Sequence, residues 1–184
     1  MLIDLKKLRR QINTSESYNS RVFRHKDNII LPYINLEIVG NKIVEIDERK
    51  GFVKFAYLVF TKVNKFTWRY SKGTRSYEKT CYFEDLYTPT GEEVVDFFAG
   101  GDSFEYQIGC EFEIQFDGFY LGIPIQIDLA QEPWYPISTK QVKANIPDNE
   151  VNLFFSRKTI PKDILGLLKC SLIDIDELNL GLEE

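Results

Sequence analysis

Apolar and polar residues alternate through much of this chain, and helical spacing interrupts the alternation near its two ends and once in its middle. Leu2, Leu5, Leu8 and Ile12 recur at helical spacing, with Lys6, Lys7, Arg9 and Arg10 between them. That spacing predicts an amphipathic helix over about 2–12, its leucine stripe on a sheet and its basic side in water. Thr14 to Asn28 is polar and reads as a loop. From Ile29 the period is two. Ile34, Leu36 and Ile38 line one face of a strand. A three-residue turn, Gly40 to Lys42, would set Val44 opposite Ile38 and Ile46 opposite Leu36, so that every apolar residue shares the buried face.

Phe52 to Phe60 is apolar on both faces apart from Lys54, as in a central strand covered on both sides. Phe66, Trp68 and Tyr70 line one face of the next strand; Ser71 to Ser76 turns the chain and Tyr77 to Phe83 returns. Thr90 and Glu93 have the spacing of a capping box. With Val94, Val95, Phe97 and Phe98 following and Gly100 and Gly101 as a stop, they predict a short helix. Glu111 to Leu129 reads as a hairpin turning at Asp117 and Gly118. A two-residue turn pairs Phe116 with Phe119, Ile114 with Leu121 and Phe112 with Ile123, six apolar residues on one face. Pro124 sets its strand at an edge or a bulge. Gln131 to Asn149 holds three prolines and reads as a long connection, Val151 to Phe155 as one more strand. A helical segment follows over about 160–170, with Pro161 in its first turn.

These elements predict one mainly β (α+β) domain spanning 1–184: an antiparallel β-sandwich or strongly bent sheet with two or three short peripheral helices. A length of 184 residues suits a single core, and 43% hydrophobic with 28% charged residues is a globular composition. Fourteen Phe and ten Tyr favour strands. The first residues lack the apolar stretch of a secretory signal, and no segment has the length of a membrane span. Cys81, Cys110 and Cys170 are odd in number and far apart, which suits free thiols in a reducing, cytoplasmic setting and argues against a disulfide scaffold or a zinc site.

Charge changes the picture most. Between Thr80 and Thr139 there are twelve acids and no Lys or Arg, whereas Lys50 to Lys79 carries eight cations and the single acid Glu78. A net charge of −5 conceals this polarity. Blocks of one sign attract the other sign and accelerate encounter.

The chemistry of known catalytic motifs is mostly missing. His25 is the only histidine and lies in a basic stretch unsuited to stabilising an imidazolium, so neither a triad nor a histidine-rich metal site is expected. There is no phosphate-binding glycine loop. Glu48, Arg49 and Lys50, with Asp27 upstream, match the carboxylate and lysine spacing of metal-dependent nucleases, but a charged turn explains them more simply. Glu111 and Glu113 are close enough to divide acid and base roles, with Glu105, Asp102 or Asp128 as further oxygen ligands for calcium. The solvated face of a half-exposed sheet accounts for the same pair. Trp134 and Tyr135, between Pro133 and Pro136, are stiffened aromatics that serve equally well as interface anchors or as a plug for the sheet. Phe66, Trp68 and Tyr70 among cations could stack single-stranded nucleic acid, a reading that the chain's overall acidity disfavours.

The expectation is a non-enzymatic protein-interaction module, an inhibitor or immunity-type protein that binds a basic partner, such as a toxin, through an acidic face. Asp102, Glu105, Glu111, Glu113, Asp117, Tyr120, Trp134 and Tyr135 would form that surface, with no cofactor and no metal. A small-ligand-binding β domain and a carboxylate-based hydrolase are the alternatives.

Overall fold

A computed structural model describes residues 2–15, 17–19, 22–39, 50–72, 75–83, 95–103, 109–123, 129–130, 154, 160–168 and 173–174. The chain is mainly β: a strongly curled antiparallel sheet, a half-barrel, with a short helix against its outer side. The long strands are β5 (Asn28–Val39), β6 (Lys50–Thr61), β7 (Lys65–Lys72), β8 (Arg75–Tyr82), β9 (Val95–Ser103) and β10 (Gly109–Phe116). Shorter ones are β1 (Leu2–Asp4), β2 (Ile12–Asn13), β3 (Tyr18–Asn19), β4 (Phe23–His25), β11 (Gly118–Gly122), β12 (Leu129–Ala130) and β13 (Ile173–Asp174). Across the sheet the order is β1-β11-β6-β5-β3-β9-β10-β7-β8, with β3 and β9 parallel over two residues and the other pairs antiparallel.

Strands β5 and β6 carry side chains for two cores, one on each face. Ile29, Leu31 and Tyr33 with Ala56, Leu58 and Phe60 face the concave interior; Ile30, Ile34, Tyr57 and Val59 face the outer side. This is the doubly covered central strand expected for Phe52 to Phe60. Beyond Ile34 both strands change parity, and Leu36, Ile38 and Val53 become the interior residues. The change occurs at Asn35, whose φ of 57° is left-handed and whose position interrupts the ladder between the pairs Ile34↔Phe55 and Leu36↔Val53. Asparagine enters this region at lower cost than most residues.

The interior is packed with rings. Phe60 stacks on Phe119 at 4.7 Å and 10° and meets Phe116 edge-on at 5.1 Å; Phe66 stacks on Phe112 at 5.6 Å. On the outer side sits the short α-helix α1 (Lys162–Leu168), burying Ile164 and Leu168. Pro161 opens it as expected, its carbonyl accepting from Leu165 N at 3.1 Å. The helix rests over Gly122, where a Cβ would lie 2.3 Å from Ile164 Cδ1.

Several expectations are corrected. Residues 2–12 are not an α-helix. They form β1, a chain of tight turns and a 3₁₀ segment at Arg9–Gln11, then β2. Leu8 N donates to Leu5 O and Gln11 N to Leu8 O, each at 2.8 Å. Such i to i+3 bonds repeat every three residues, which reproduces the spacing of a helical stripe. The helix expected from Thr90 gives way, from Val95 onward, to β9, and Gly100 and Gly101 lie inside that strand instead of ending a helix; the capping residues fall outside the described region. The return strand expected through Val44 and Ile46 lies outside the described residues; among those described, β5 pairs along its length with β6, from Ile29↔Phe60 to Val39↔Lys50, and with β2, β3 and β4 on its other edge.

The hairpin at Asp117 is also corrected. The six apolar residues all share the interior core, yet β10 pairs with β9 and β7, while β11 pairs with β6 and β1. The chain turns a corner between them. Register runs Thr61↔Gly118 on one side and Lys65↔Gln115 on the other, so Lys62, Val63 and Asn64 face only Phe116 and Asp117. That one-residue excess is a bulge, which bends a ribbon sharply. Lys62, with φ 51°, makes the bend. Thus β6–β7 and β10–β11 form one antiparallel ribbon folded at a corner, and the six residues meet across the curl instead of along a ladder.

Candidate functional site

Strand β10 brings the cation-free segment against the basic one. Phe112, Ile114 and Phe116 point inward; Glu111, Glu113 and Gln115 take the opposite face. On one flank, β7 sets Arg69, Thr67 and Lys65 opposite them, and β8 sets Glu78 and Thr80 opposite Arg69 and Thr67. On the other, β9 sets Gly100 opposite Glu111, Asp96 opposite Gln115 and Asp102 opposite Gly109. Directly opposed residues share a face, so Asp96 and Asp102 occupy positions on the face of Glu111 and Glu113.

Glu113 is only 15% exposed; its Oε1 accepts from Lys65 Nζ at 2.9 Å and its Oε2 from Arg69 Nη2 at 2.8 Å. Arg69 Nε also donates to Glu78 Oε2 at 2.6 Å. Lys65 and then Arg69 hold the Glu113 carboxyl below the usual carboxylate range, while Glu113 and Glu78 raise the guanidinium in turn. Glu111 stands differently. It is exposed, and no ion pair forms to it among the described residues. Asp117 lies at the corner, its Oδ1 accepting from Lys6 Nζ at 2.9 Å and its Oδ2 from Lys62 Nζ at 3.2 Å. Lys6 first and Lys62 second lower its pKa.

Of the residues expected to face a partner, Glu111, Glu113 and the Asp102 position therefore share one sheet face, and Glu113 is committed to cations of its own chain. Asp117 is separated from them at the corner and is likewise paired. Tyr120 is half-buried on the outer side, against the core beneath α1. Glu105, Trp134 and Tyr135 lie outside the described residues, as do Asp128, Glu48 and Arg49.

A second polar cluster was not anticipated. Asn13, Thr14, Ser17, Asn35 and Glu37 gather where the loop after β2 crosses β5. All but Asn13 are buried. Asn13 Nδ2 donates to Glu37 Oε2, and Ser17 Oγ donates to the Asn35 carbonyl at 3.0 Å. The signal was present in the sequence: Asn35 and Glu37 interrupt an otherwise apolar run from Ile29 to Val39.

Among the described residues no group of three His, Cys, Asp or Glu comes together that could hold a metal, and no helix is long and apolar enough to cross a membrane. No protein-family model, curated protein or solved structure matches the chain.

Proposed function

We propose that this chain is a protein-interaction module of inhibitor or immunity type, binding a basic partner such as a toxin through the outer face of β9 and β10. One observation carries the reading: the strand register sets the positions of Asp96 and Asp102 on the face of Glu111 and Glu113, all four from a cation-free segment, with Glu111 exposed and in no ion pair among the described residues. Lys65 and Arg69 stand on the same face and neutralise Glu113, so the charge left to steer a basic partner and give salt-sensitive binding is that of Glu111 with the Asp96 and Asp102 positions. The other two classes have less support. The concave interior is filled by Phe60, Phe66, Phe112, Phe116 and Phe119, which occupies the space a small ligand would need. Glu113 is held in its ionised form by two cations, the opposite of what a general acid requires.

The test is capture of partners on the immobilised protein and on an Asp102→Lys, Glu111→Lys variant. Glu113 is left intact because it holds Lys65 and Arg69. A basic partner retained at low salt, released as salt rises and lost with the variant is the expected result. Retention that neither salt nor the variant disturbs overturns the reading.

A further inference from the structure

We propose that Asn35 is the anchor of an internal water site between β5 and the loop that leads from β2 to β3. Among the described residues, three non-glycine residues have left-handed backbone: Lys26, Asn35 and Lys62. The two lysines are exposed, whereas Asn35 has no exposed surface. Glycine would meet the backbone requirement at this position without burying a carboxamide. Here the carboxamide is buried, and neither Oδ1 nor Nδ2 has a hydrogen-bonding partner among the described residues. Leaving both groups of a buried amide unsatisfied is a large penalty, and native chains rarely carry it.

The chemistry of the pair selects the ligand. Oδ1 requires a donor and Nδ2 an acceptor. A cation would satisfy the first and repel the second; an anion would do the reverse. Water does both, and buried waters commonly hold about three hydrogen bonds. The third partner is at hand. Ser17 is buried and its hydroxyl proton goes to the Asn35 carbonyl, which leaves its oxygen able to accept. Four residues, from Thr14 to Ser17, span the gap between the pairs Asn13↔Glu37 and Tyr18↔Ile34, while β5 places only Asn35 and Leu36 there. The chain between those pairs is thus two residues longer than the stretch of β5 beside it, at the level where Asn35 breaks the β5–β6 ladder. A bridging water would fasten loop to strand at the point where both central strands change parity. This inference stands apart from the acidic-face reading.

The experiment is solution NMR on the intact chain, with the Asn35 side-chain amide protons as reporter. The expected result is a cross-relaxation peak to water with the sign of a long-lived site. In Asn35→Gly, which keeps the left-handed backbone, the loop amides around Ser17 lose their own water peaks and the melting temperature falls. In Ser17→Ala the Asn35 peak weakens. Absence of a water peak at the Asn35 amide in the unmodified chain overturns the proposal without reference to either variant, and so does a higher melting temperature for Asn35→Gly.

Discussion

Lys62 and Asp117 face each other across the folded corner of the ribbon, Nζ to Oδ2 at 3.2 Å, with Lys6 on the other oxygen. Both lysines are largely exposed, so the neutral-pH worth of each pair is small, below about 1 kcal/mol. The pH dependence is more telling. Asp117 and Glu113 both have folded-state pKa values below their ordinary ones. Their contribution is present above the unfolded-state value near pH ~4 and is lost as pH falls through the lower folded-state values. Thermal melts between neutral and strongly acidic pH should show a decline that begins near pH ~4. The Glu113→Gln, Asp117→Asn double variant should be less stable at neutral pH and decline less. An identical slope for both proteins would contradict the ion-pair assignment.

The bend itself depends on Lys62. Its left-handed φ of 51° is hardest for a β-branched side chain. Lys62→Val should therefore cost about 1–2 kcal/mol, read from denaturant unfolding. Lys62→Asn, which tolerates that backbone, should lose far less. Equal losses would mean that the lysine's charge matters more than its backbone.

Helix α1 rests on the sheet at a glycine. A Cβ on Gly122 would sit 2.3 Å from Ile164 Cδ1 and 3.1 Å from Ile164 Cγ1. Gly122→Val forces the helix outward or Ile164 out of its rotamer, at about 1–3 kcal/mol. Hydrogen exchange across Lys162–Leu168 should accelerate in this variant, since the helix has seven residues and depends on packing to persist. Combining Gly122→Val with Ile164→Ala should recover part of the loss.

The stack of Phe119 on Phe60, 4.7 Å between centroids, ties β11 to β6 in the middle of the interior. Phe119→Ala should cost about 3–5 kcal/mol as a cavity substitution. Phe116 meets both rings, so Phe116→Ala combined with Phe119→Ala should be non-additive by about 0.5–3 kcal/mol. Strict additivity would mean that the three rings act independently.

The residues from Glu111 to Ile123 show how far one strand's pattern can be read. Every inward and outward assignment from Glu111 to Phe116 follows from alternation, because the side-chain period of a strand is local. The pairing partner is not local. A two-residue turn at Asp117 and Gly118 was chemically reasonable, and a one-residue bulge opposite it, at Lys62 to Asn64, made a corner instead. Nothing within Glu111–Leu129 records that bulge, since it belongs to a segment fifty residues earlier. The same limit applies at the amino terminus, where leucines at spacing three fit 3₁₀ turns as well as a helix, and the hydrogen bond from Leu5 N to Phe119 O at 2.7 Å decides between them. In the candidate site, the segregation of charge was legible. That Glu113 is matched by Lys65 and Arg69 while Glu111 is left exposed required the register of β7 against β10.

By itself the sequence determined the β class, the doubly buried central strand β6, the buried row from Phe112 to Leu121 and the helix opened by Pro161. Each of these follows from the period of apolar residues or from the chemistry of one turn. Tertiary structure alone decided which strands are neighbours, where the sheet curls and which carboxylates are neutralised. Hydrogen-bonded partners and ion pairs join residues far apart in the chain, and their geometry exists only once the bulge at Lys62 and the left-handed turn at Asn35 have set the path of the sheet.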